Sequence, residues 1–289
     1  MRLENHLSKR LKQVLPNRLK RGARKLRDSY HFSTSRWRAL PDFLVIGAMR
    51  AGSDSIFSYL IQHPQILGSY IKETHYFDWN YSKGVAWYRS KFPFVFEVKE
   101  NTRVGEATPD YLVCPHIPKR IHALLPDAKL IAILRNPTYR AISHYFFTKF
   151  FGWETLPLMD ALLAEEERIR PKLEKMLQDE SYFNDDTIWF SYKQRGLYIE
   201  QLRRYWEVFD RKQILIIDNA KLLNETRDTL KIIFEFLEID PDIEIKNLSR
   251  KNVTNYPADI PLSVYQYLNE FFAPFNEQLF VEIGQDFGW

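Results

Sequence analysis

The stretch Phe43-Leu-Val-Ile-Gly-Ala-Met-Arg-Ala-Gly-Ser-Asp-Ser55 constrains this chain more than any other. Its apolar opening reads as a buried strand, its two glycines bound a turn, and Ser53 starts a helix. A strand that enters a helix through such a turn aims backbone N–H groups and the positive helix end at one point, where an anion sits. A second candidate anion element, Leu134-Arg-Asn-Pro-Thr-Tyr-Arg-Ala-Ile-Ser143, follows about eighty residues later. Two phosphate sites on one fold imply a nucleotide carrying phosphates at two separated positions.

The pattern around these elements alternates strand and helix. Phe43 to Ala48 reads as the first strand, and Ser53 to Gln62 as a helix ended by His63-Pro64. Val104-Gly-Glu-Ala is a short strand and Leu130 to Leu134 a buried one, followed by a helix from Pro137 to Phe150 with its proline in the first turn. Asp160 to Glu180 reads as a charged helical insertion over the core, and Ile188 to Phe209 as largely helical. Ile214 to Ile217 is a third apolar strand, with helices over Asn219 to Leu223 and Thr226 to Leu237. The alternation predicts an α/β protein with a central, mainly parallel sheet flanked by helices.

Charge divides the chain at about residue 38. Residues 1–38 hold 12 Lys/Arg and 2 Asp/Glu, a net of +10, whereas the other 251 residues hold 29 basic and 35 acidic side chains, a net of −6. The division predicts a basic leader, 1–38, and one domain, 39–289. Leu3, Leu7, Leu11 and Leu15 share one helical face within the leader. That face suits either a solvated arm or a helix lying on an anionic membrane or polyanion. Cys114 is the single cysteine, so no internal disulfide and no Cys-based zinc site forms. It reads as a small, partly buried side chain, with a reactive thiol as the alternative. No apolar run reaches the roughly 18 residues of a membrane span, and the first thirty residues lack a signal-peptide core.

The first anion loop has the glycine spacing of a nucleoside-triphosphatase loop, Gly47 and Gly52 followed by Ser53, but lacks the lysine before the hydroxyl. Its cation is Arg50, and no apolar strand ends in an evident acidic metal ligand. A kinase or ATPase is therefore disfavoured. A sulfuryl donor fits better. The transferred group carries one negative charge, so cationic side chains and backbone donors stabilise it without a metal.

Taken together, the two elements resemble those of the sulfotransferase superfamily that uses 3′-phosphoadenosine 5′-phosphosulfate (PAPS). Gly47-Ala-Met-Arg-Ala-Gly-Ser53 is similar to the family's 5′-phosphosulfate loop, and Arg135 with Ser143 to its 3′-phosphate element. Lys72-Glu-Thr-His-Tyr-Phe-Asp78 resembles the segment carrying the catalytic glutamate in the carbohydrate, heparan-sulfate-type branch. Supporting likenesses are Gly105-Glu-Ala-Thr-Pro-Asp-Tyr111 near the acceptor cleft, Arg195-Gly-Leu-Tyr198, and a closing loop at Lys251-Asn-Val-Thr-Asn-Tyr-Pro257.

The resemblance implies a P-loop-like three-layer fold and sulfuryl transfer to a carbohydrate hydroxyl or amine. It implies Glu73 as general base, supported by His75 and by Arg50 at the leaving group. Donor contacts fall on Arg50, Ala51, Gly52, Ser53, Asp54, Ser55, Arg135, Ser143, Arg195, Tyr198, Lys251, Asn252 and Thr254. Acceptor contacts fall on Lys72, Asp78, Thr108 and Asp110. No metal and no nucleic-acid partner is expected. Burial is expected to raise the Glu73 carboxyl from roughly 4.3 toward a useful value. Tyr76, Trp79, Tyr81, Trp87 and Tyr111 read equally as sugar-stacking surfaces or as core. Lacking an anchor, the chain is expected to be a bacterial cytoplasmic enzyme, with peripheral contact at the inner membrane face through the leader.

Three positions depart from the family pattern. Arg50 replaces a lysine, Asp54 replaces Thr, Ser or Arg beside the anionic ligand, and the closing loop lacks Lys-Gly-Arg. These departures sustain a second expectation, a catalytically impaired relative that binds the nucleotide without turning it over.

Overall fold

A computed structural model describes residues 17–184, 186–252 and 259–289, with side chains from residue 22 onward. Helix α1 (Asn17–Ser33) carries six Lys/Arg against one Asp. The leader's four leucines lie outside the described residues. Arg38, at the leader's end, is fully buried, its guanidinium donating to the Phe92 carbonyl at 2.8 Å and lying 4.1 Å over the Phe94 ring.

The centre of the domain is a five-stranded sheet in the order β2-β3-β1-β4-β5. In chain order, β1 (Phe43–Gly47) leads to α2 (Ser53–Leu60), β2 (Ile66–Gly68), α3 (Gly84–Arg89), β3 (Arg103–Ala107) and α4 (Ile117–Leu124). Then come β4 (Lys129–Leu134), α5 (Pro137–Phe150), α6 (Leu158–Gln178), the single turn α7 (Asp186–Trp189) and α8 (Tyr198–Trp206). The chain closes with β5 (Ile214–Asp218), α9 (Asn219–Asn224), α10 (Thr226–Phe236) and α11 (Leu262–Ile283).

Every described strand pairing is parallel, with Phe43 opposite both Gly105 on β3 and Lys129 on β4. This satisfies the predicted α/β class, because β1 and, after Lys129, β4 are apolar, as strands covered on both faces must be. The chain lays β2 and β3 on one side of β1 and then crosses to place β4 and β5 on the other. That reversal puts a switch point at β1, so the loops leaving β1, β3 and β4 share one edge of the sheet.

Three local outcomes differ from the sequence reading. Helix α2 ends at Leu60, two residues early, and β2 is a three-residue strand too short to show a period. The stretch expected to be helical from Ile188 to Phe209 breaks into α7, a 3-10 turn at Gln194–Gly196, and α8. The break turns Arg195 inward, where it is buried. Helix α5 has the expected bounds, and Asn136 caps it by accepting the Thr138 N–H at 3.0 Å.

Close packing fixes Gly105. A Cβ built there lies 2.1 Å from the Phe43 ring, and Phe43 is fully buried. Gly105→Ala is expected to cost about 1–3 kcal/mol by overpacking, read as a lowered thermal midpoint. An unchanged midpoint would show that the Phe43 ring yields freely.

Candidate active site

The first anion loop forms as a turn between β1 and α2. Gly52 takes φ of 100° at its end, a left-handed conformation that favours glycine. The Ala51 carbonyl accepts from Asn219 Nδ2 at 2.7 Å, and the Ala51 N–H donates to the Ala48 carbonyl at 3.1 Å. Ser53 and Ser55 are buried in the first turn of α2, with Ser55 Oγ accepting the Lys251 N–H at 2.9 Å. Thus the loop after β1 is tied both to α9 and to the chain's later loop. Thr254, expected in that later loop, lies outside the described residues.

The second element comes up directly beside the first. Arg50 Nε donates to Ser143 Oγ at 3.2 Å, and Arg135 donates to the Arg50 carbonyl at 3.1 Å. Arg50 itself has φ of 68° and its guanidinium lies 5.0 Å over the Phe147 ring. The two predicted anion elements therefore converge on one cleft, and Arg50 links them. Tyr198 sits behind Arg135, buried, with its hydroxyl donating to the Arg135 carbonyl at 2.8 Å.

Lys72, Glu73 and His75 face this cleft from the segment after β2, with Asp78 behind them. Lys72 forms ion pairs with Asp54 and, at 3.2 Å, with Glu73. Asp54 also accepts from Asn252 Nδ2. The acid beside the anion loop is thus neutralised by Lys72 and joined to the later loop. His75 lies between two carboxylates, 3.5 Å from Glu73 and 2.8 Å from Asp78. Desolvation alone would depress His75, but hydrogen bonds to Asp78 and Glu73 raise it to about 10, so it carries a charge at neutral pH.

Glu73 departs from expectation. Burial pushes its carboxyl up, but the His75 hydrogen bond and the charges of Lys72 and His75 together outweigh burial and hold it below its ordinary value. It is an ionised proton acceptor at neutral pH, whereas charged His75 is not one.

Glu73 and His75 both adopt left-handed backbone, φ 55° and 47°, a conformation that non-glycine residues hold only when their surroundings enforce it. The enforcement comes from beneath. Glu106, on β3 and fully buried, accepts hydrogen bonds from Thr74 and Tyr88 at 2.6 Å, Thr108 at 3.0 Å and Tyr111 at 3.3 Å. The Tyr111 hydroxyl in turn accepts the Tyr76 N–H at 2.9 Å. Thr74, between the two left-handed residues, is so pinned to the sheet. Burial pushes the Glu106 carboxyl up, and the four hydroxyl donors oppose that shift.

The Gly105–Tyr111 segment stands out in the sequence, but no role for Glu106 does. The signal was there: an acid inside an otherwise apolar strand is buried, and buried charge needs partners. Glu165 on α6 is a second such residue. Its buried carboxylate accepts the Lys193 and Gln194 N–H groups at 2.6 and 2.8 Å, holding the turn that carries Arg195.

Four predicted side chains stand behind the cleft surface. Thr108 is fully buried on Glu106, and the Asp78 side chain is buried on His75. Asp110 pairs with buried Arg195 at 2.6 Å. His75, Asp78 and Asp110 bring one potential metal-ligating atom each within 4.8 Å of one another, and Arg195 already supplies a cation to that group. The aromatic segment divides: Tyr76 and Tyr111 are core, whereas Trp79 and Tyr81 are 41% and 40% exposed. Cys114 is buried and its thiol is pushed up to about 12 by desolvation, as a structural cysteine should be.

A model of the sulfotransferase domain matches residues 40–279. The chain belongs to the sulfotransferase family. Human heparan sulfate glucosamine 3-O-sulfotransferase 6 is 29% identical over 276 residues, covering 87% of this chain and 74% of that protein. Human heparan sulfate glucosamine 3-O-sulfotransferase 3B1 is 28% identical over 285 residues, covering 90% and 68%. The solved sulfotransferase from Alicyclobacillus acidocaldarius has a TM-score of 0.70 at 28% identity, covering 86% of this chain and 97% of that one. These likenesses bear out the predicted family, fold and enzyme class. They reach mammalian and bacterial proteins alike and so do not bear out the expectation of a bacterial source. No helix among the described residues of this sulfotransferase is long and apolar enough to cross a membrane.

Proposed function

We propose that this sulfotransferase moves the sulfuryl group of PAPS to a hydroxyl, or an amine, of a carbohydrate or glycan acceptor, with Glu73 as general base. The observation that carries the reading is the convergence of Arg50, Arg135 and Ser143 beside an ionised Glu73. PAPS, as co-substrate, supplies an activated sulfuryl group. Arg50 and the Gly52–Ser55 turn offer donors for its 5′ end, while Arg135 and Ser143 offer a bidentate cation and a hydroxyl for its 3′-phosphate. Ala51 shapes the turn, Tyr198 and Arg195 back the cleft, and Lys251 and Asn252 border it through Ser55 and Asp54. Glu73 takes the acceptor proton, and charged His75 and Lys72 orient its carboxylate. Lys72, Asp78, Thr108 and Asp110 set the acceptor side, the last three by fixing the residues at its surface. Cationic side chains and backbone donors suffice for this chemistry, and it needs no metal.

The glycan acceptor is supported by the named activity of the two human relatives. The cytoplasm is the proposed compartment, with the basic leader and α1 making peripheral contact with an anionic membrane, supported by the six Lys/Arg of α1.

A second reading, a nucleotide-binding relative impaired in transfer, is favoured by one observation: the Arg50 guanidinium reaches across to Ser143 of the 3′ element. Calorimetry with 3′-phosphoadenosine 5′-phosphate (PAP), run beside a transfer assay, separates the two. Binding with transfer supports the enzyme, binding without transfer to any glycan supports the second reading, and neither defeats both. Arg135→Ala is expected to weaken PAP binding about 10- to 100-fold, the effect of losing charge-assisted hydrogen bonds. Unchanged affinity would remove Arg135 from the donor site.

A further inference from the structure

A ledge of aromatic rings leads from the cleft to the surface. The cavity that holds Arg50, Glu73 and His75, about 220 Å³, is also lined by Phe147 and Trp189. Both rings touch others outside it. Phe147 meets Phe151 at 5.0 Å and Trp153 at 6.2 Å, and Trp189 meets Trp153 at 4.2 Å. Phe151 stacks on Trp153 at 4.9 Å and an interplanar angle of 19°, and Phe150 meets Phe151 edge-on at 5.2 Å. The ledge is thus joined to the cavity at two rings, through unbroken ring contacts. The local sequence builds it. Phe147 and Phe151 are four residues apart at the end of α5, so their side chains lie one above the other. Gly152, with φ of 74°, then reverses the chain. The Trp153 N–H donates back to the Thr148 carbonyl at 3.0 Å, which lays its ring on Phe151.

Phe150, Phe151 and Trp153 are 80%, 50% and 42% exposed. Single exposed rings are ordinary, but contiguous ones at the mouth of a cleft mark a surface that a ligand or partner covers. The polar side chains beside them are engaged elsewhere. Lys149 donates to the Thr155 carbonyl at 3.0 Å. Glu154 is buried, pairs with Arg168 at 2.7 Å and accepts the Thr155 and Leu156 N–H groups at 2.9 Å. The most exposed rings, Phe150 and Phe151, carry no polar atom at all. A sugar laid on them would find no partners for its hydroxyls, whereas a hydrocarbon chain needs none. The inner end of the ledge lies under the Arg50 guanidinium, 5.0 Å over the Phe147 ring. It therefore starts beside the groups proposed to hold the sulfuryl end of the donor.

We infer that this ledge holds the apolar part of the acceptor, and that the acceptor is an amphiphilic glycoside carrying an alkyl chain. Its sugar enters the cavity beside Glu73, and its chain lies outward along Phe147, Phe151, Phe150 and Trp153. The inference rests on the reading of Glu73 as the group that receives the acceptor's proton, since that reading places the sugar in the cavity that Phe147 and Trp189 line.

The test titrates the full chain, saturated with PAP, with methyl β-glucoside and with octyl β-glucoside below its micelle concentration. The octyl form is expected to bind at least about tenfold more tightly, because its added methylenes leave water on the rings. Phe150→Ser and, independently, Trp153→Ser are each expected to weaken octyl binding at least about threefold, with PAP affinity held within about twofold. Both side chains are exposed, so their replacement spares the core. Equal affinity for the two glucosides, no octyl binding while PAP binds, or an octyl preference indifferent to both substitutions would overturn the inference. So would a dimer, seen by sedimentation, that Phe150→Ser dissociates, since it assigns the ledge to a second copy of the chain. Binding to plain phosphatidylcholine vesicles that Phe150→Ser abolishes would assign it to a bilayer and overturn the inference likewise. Failure of PAP itself to bind would instead defeat the donor-site reading. Undiminished transfer to octyl β-glucoside by Glu73→Gln would remove the base and leave the ledge standing, so the failures are distinguishable.

Discussion

Glu73→Gln is expected to lower transfer by about 10²- to 10⁴-fold, the range of a lost general base, while leaving PAP affinity within about twofold. The glutamine keeps the size and polarity of the side chain but cannot accept a proton. The pH dependence follows from the neighbours. Glu73 is held below its ordinary value, so kcat/KM should be flat through neutral pH and fall on the acid side as Glu73 protonates. On the alkaline side it should fall as His75, raised to about 10, loses its charge. The Glu73→Gln enzyme should lose the acid limb. The same His75 shift governs stability. Its folded value exceeds the unfolded 6.5, so its contribution is complete below 6.5 and disappears as pH rises toward about 10. Normal turnover by the Glu73→Gln protein would take the base away from this residue.

Thr74→Val is expected to reduce kcat about 10- to 100-fold without weakening PAP binding, because it unpins the segment that holds Glu73 and His75 in left-handed backbone. Glu106→Gln should have the same signature. It replaces one acceptor oxygen by a donor and leaves two of its four hydroxyl partners facing an amide nitrogen. Thr74→Ser restores the hydroxyl and should restore kcat, which a packing role for the methyl group would not allow. If both variants lower the thermal midpoint yet turn over normally, Glu106 is a stabilising residue only. If Glu73→Gln is active but Thr74→Val is not, Glu106 positions some other group on that segment.

These two expectations differ in how far they were legible beforehand. Glu73 was read from a short segment whose residue types carry its chemistry. Its low pKa was not, because that depends on His75 and Lys72 folding back onto it through left-handed backbone. Glu106 was visible as an acid in an apolar strand, but its partners come from positions 74, 88, 108 and 111, and no local pattern names them. Asp54 looked repulsive beside an anion, whereas in the fold Lys72 neutralises it.

Local patterning was enough for the strand-to-helix order, the two anion elements and the placement of helix α5, because backbone preference and apolar periodicity act over a few residues. It also sufficed for the carboxylate-bearing segment after β2. The fold alone decided that β1 lies between β3 and β4, which brings three loops to one sheet edge. It alone separated Tyr76 and Tyr111, in the core, from Trp79 and Tyr81, at the surface. Burial and pairing are properties of distant chain segments brought together. A side chain's environment, and with it its charge state and its freedom to touch a ligand, is set only when those segments meet.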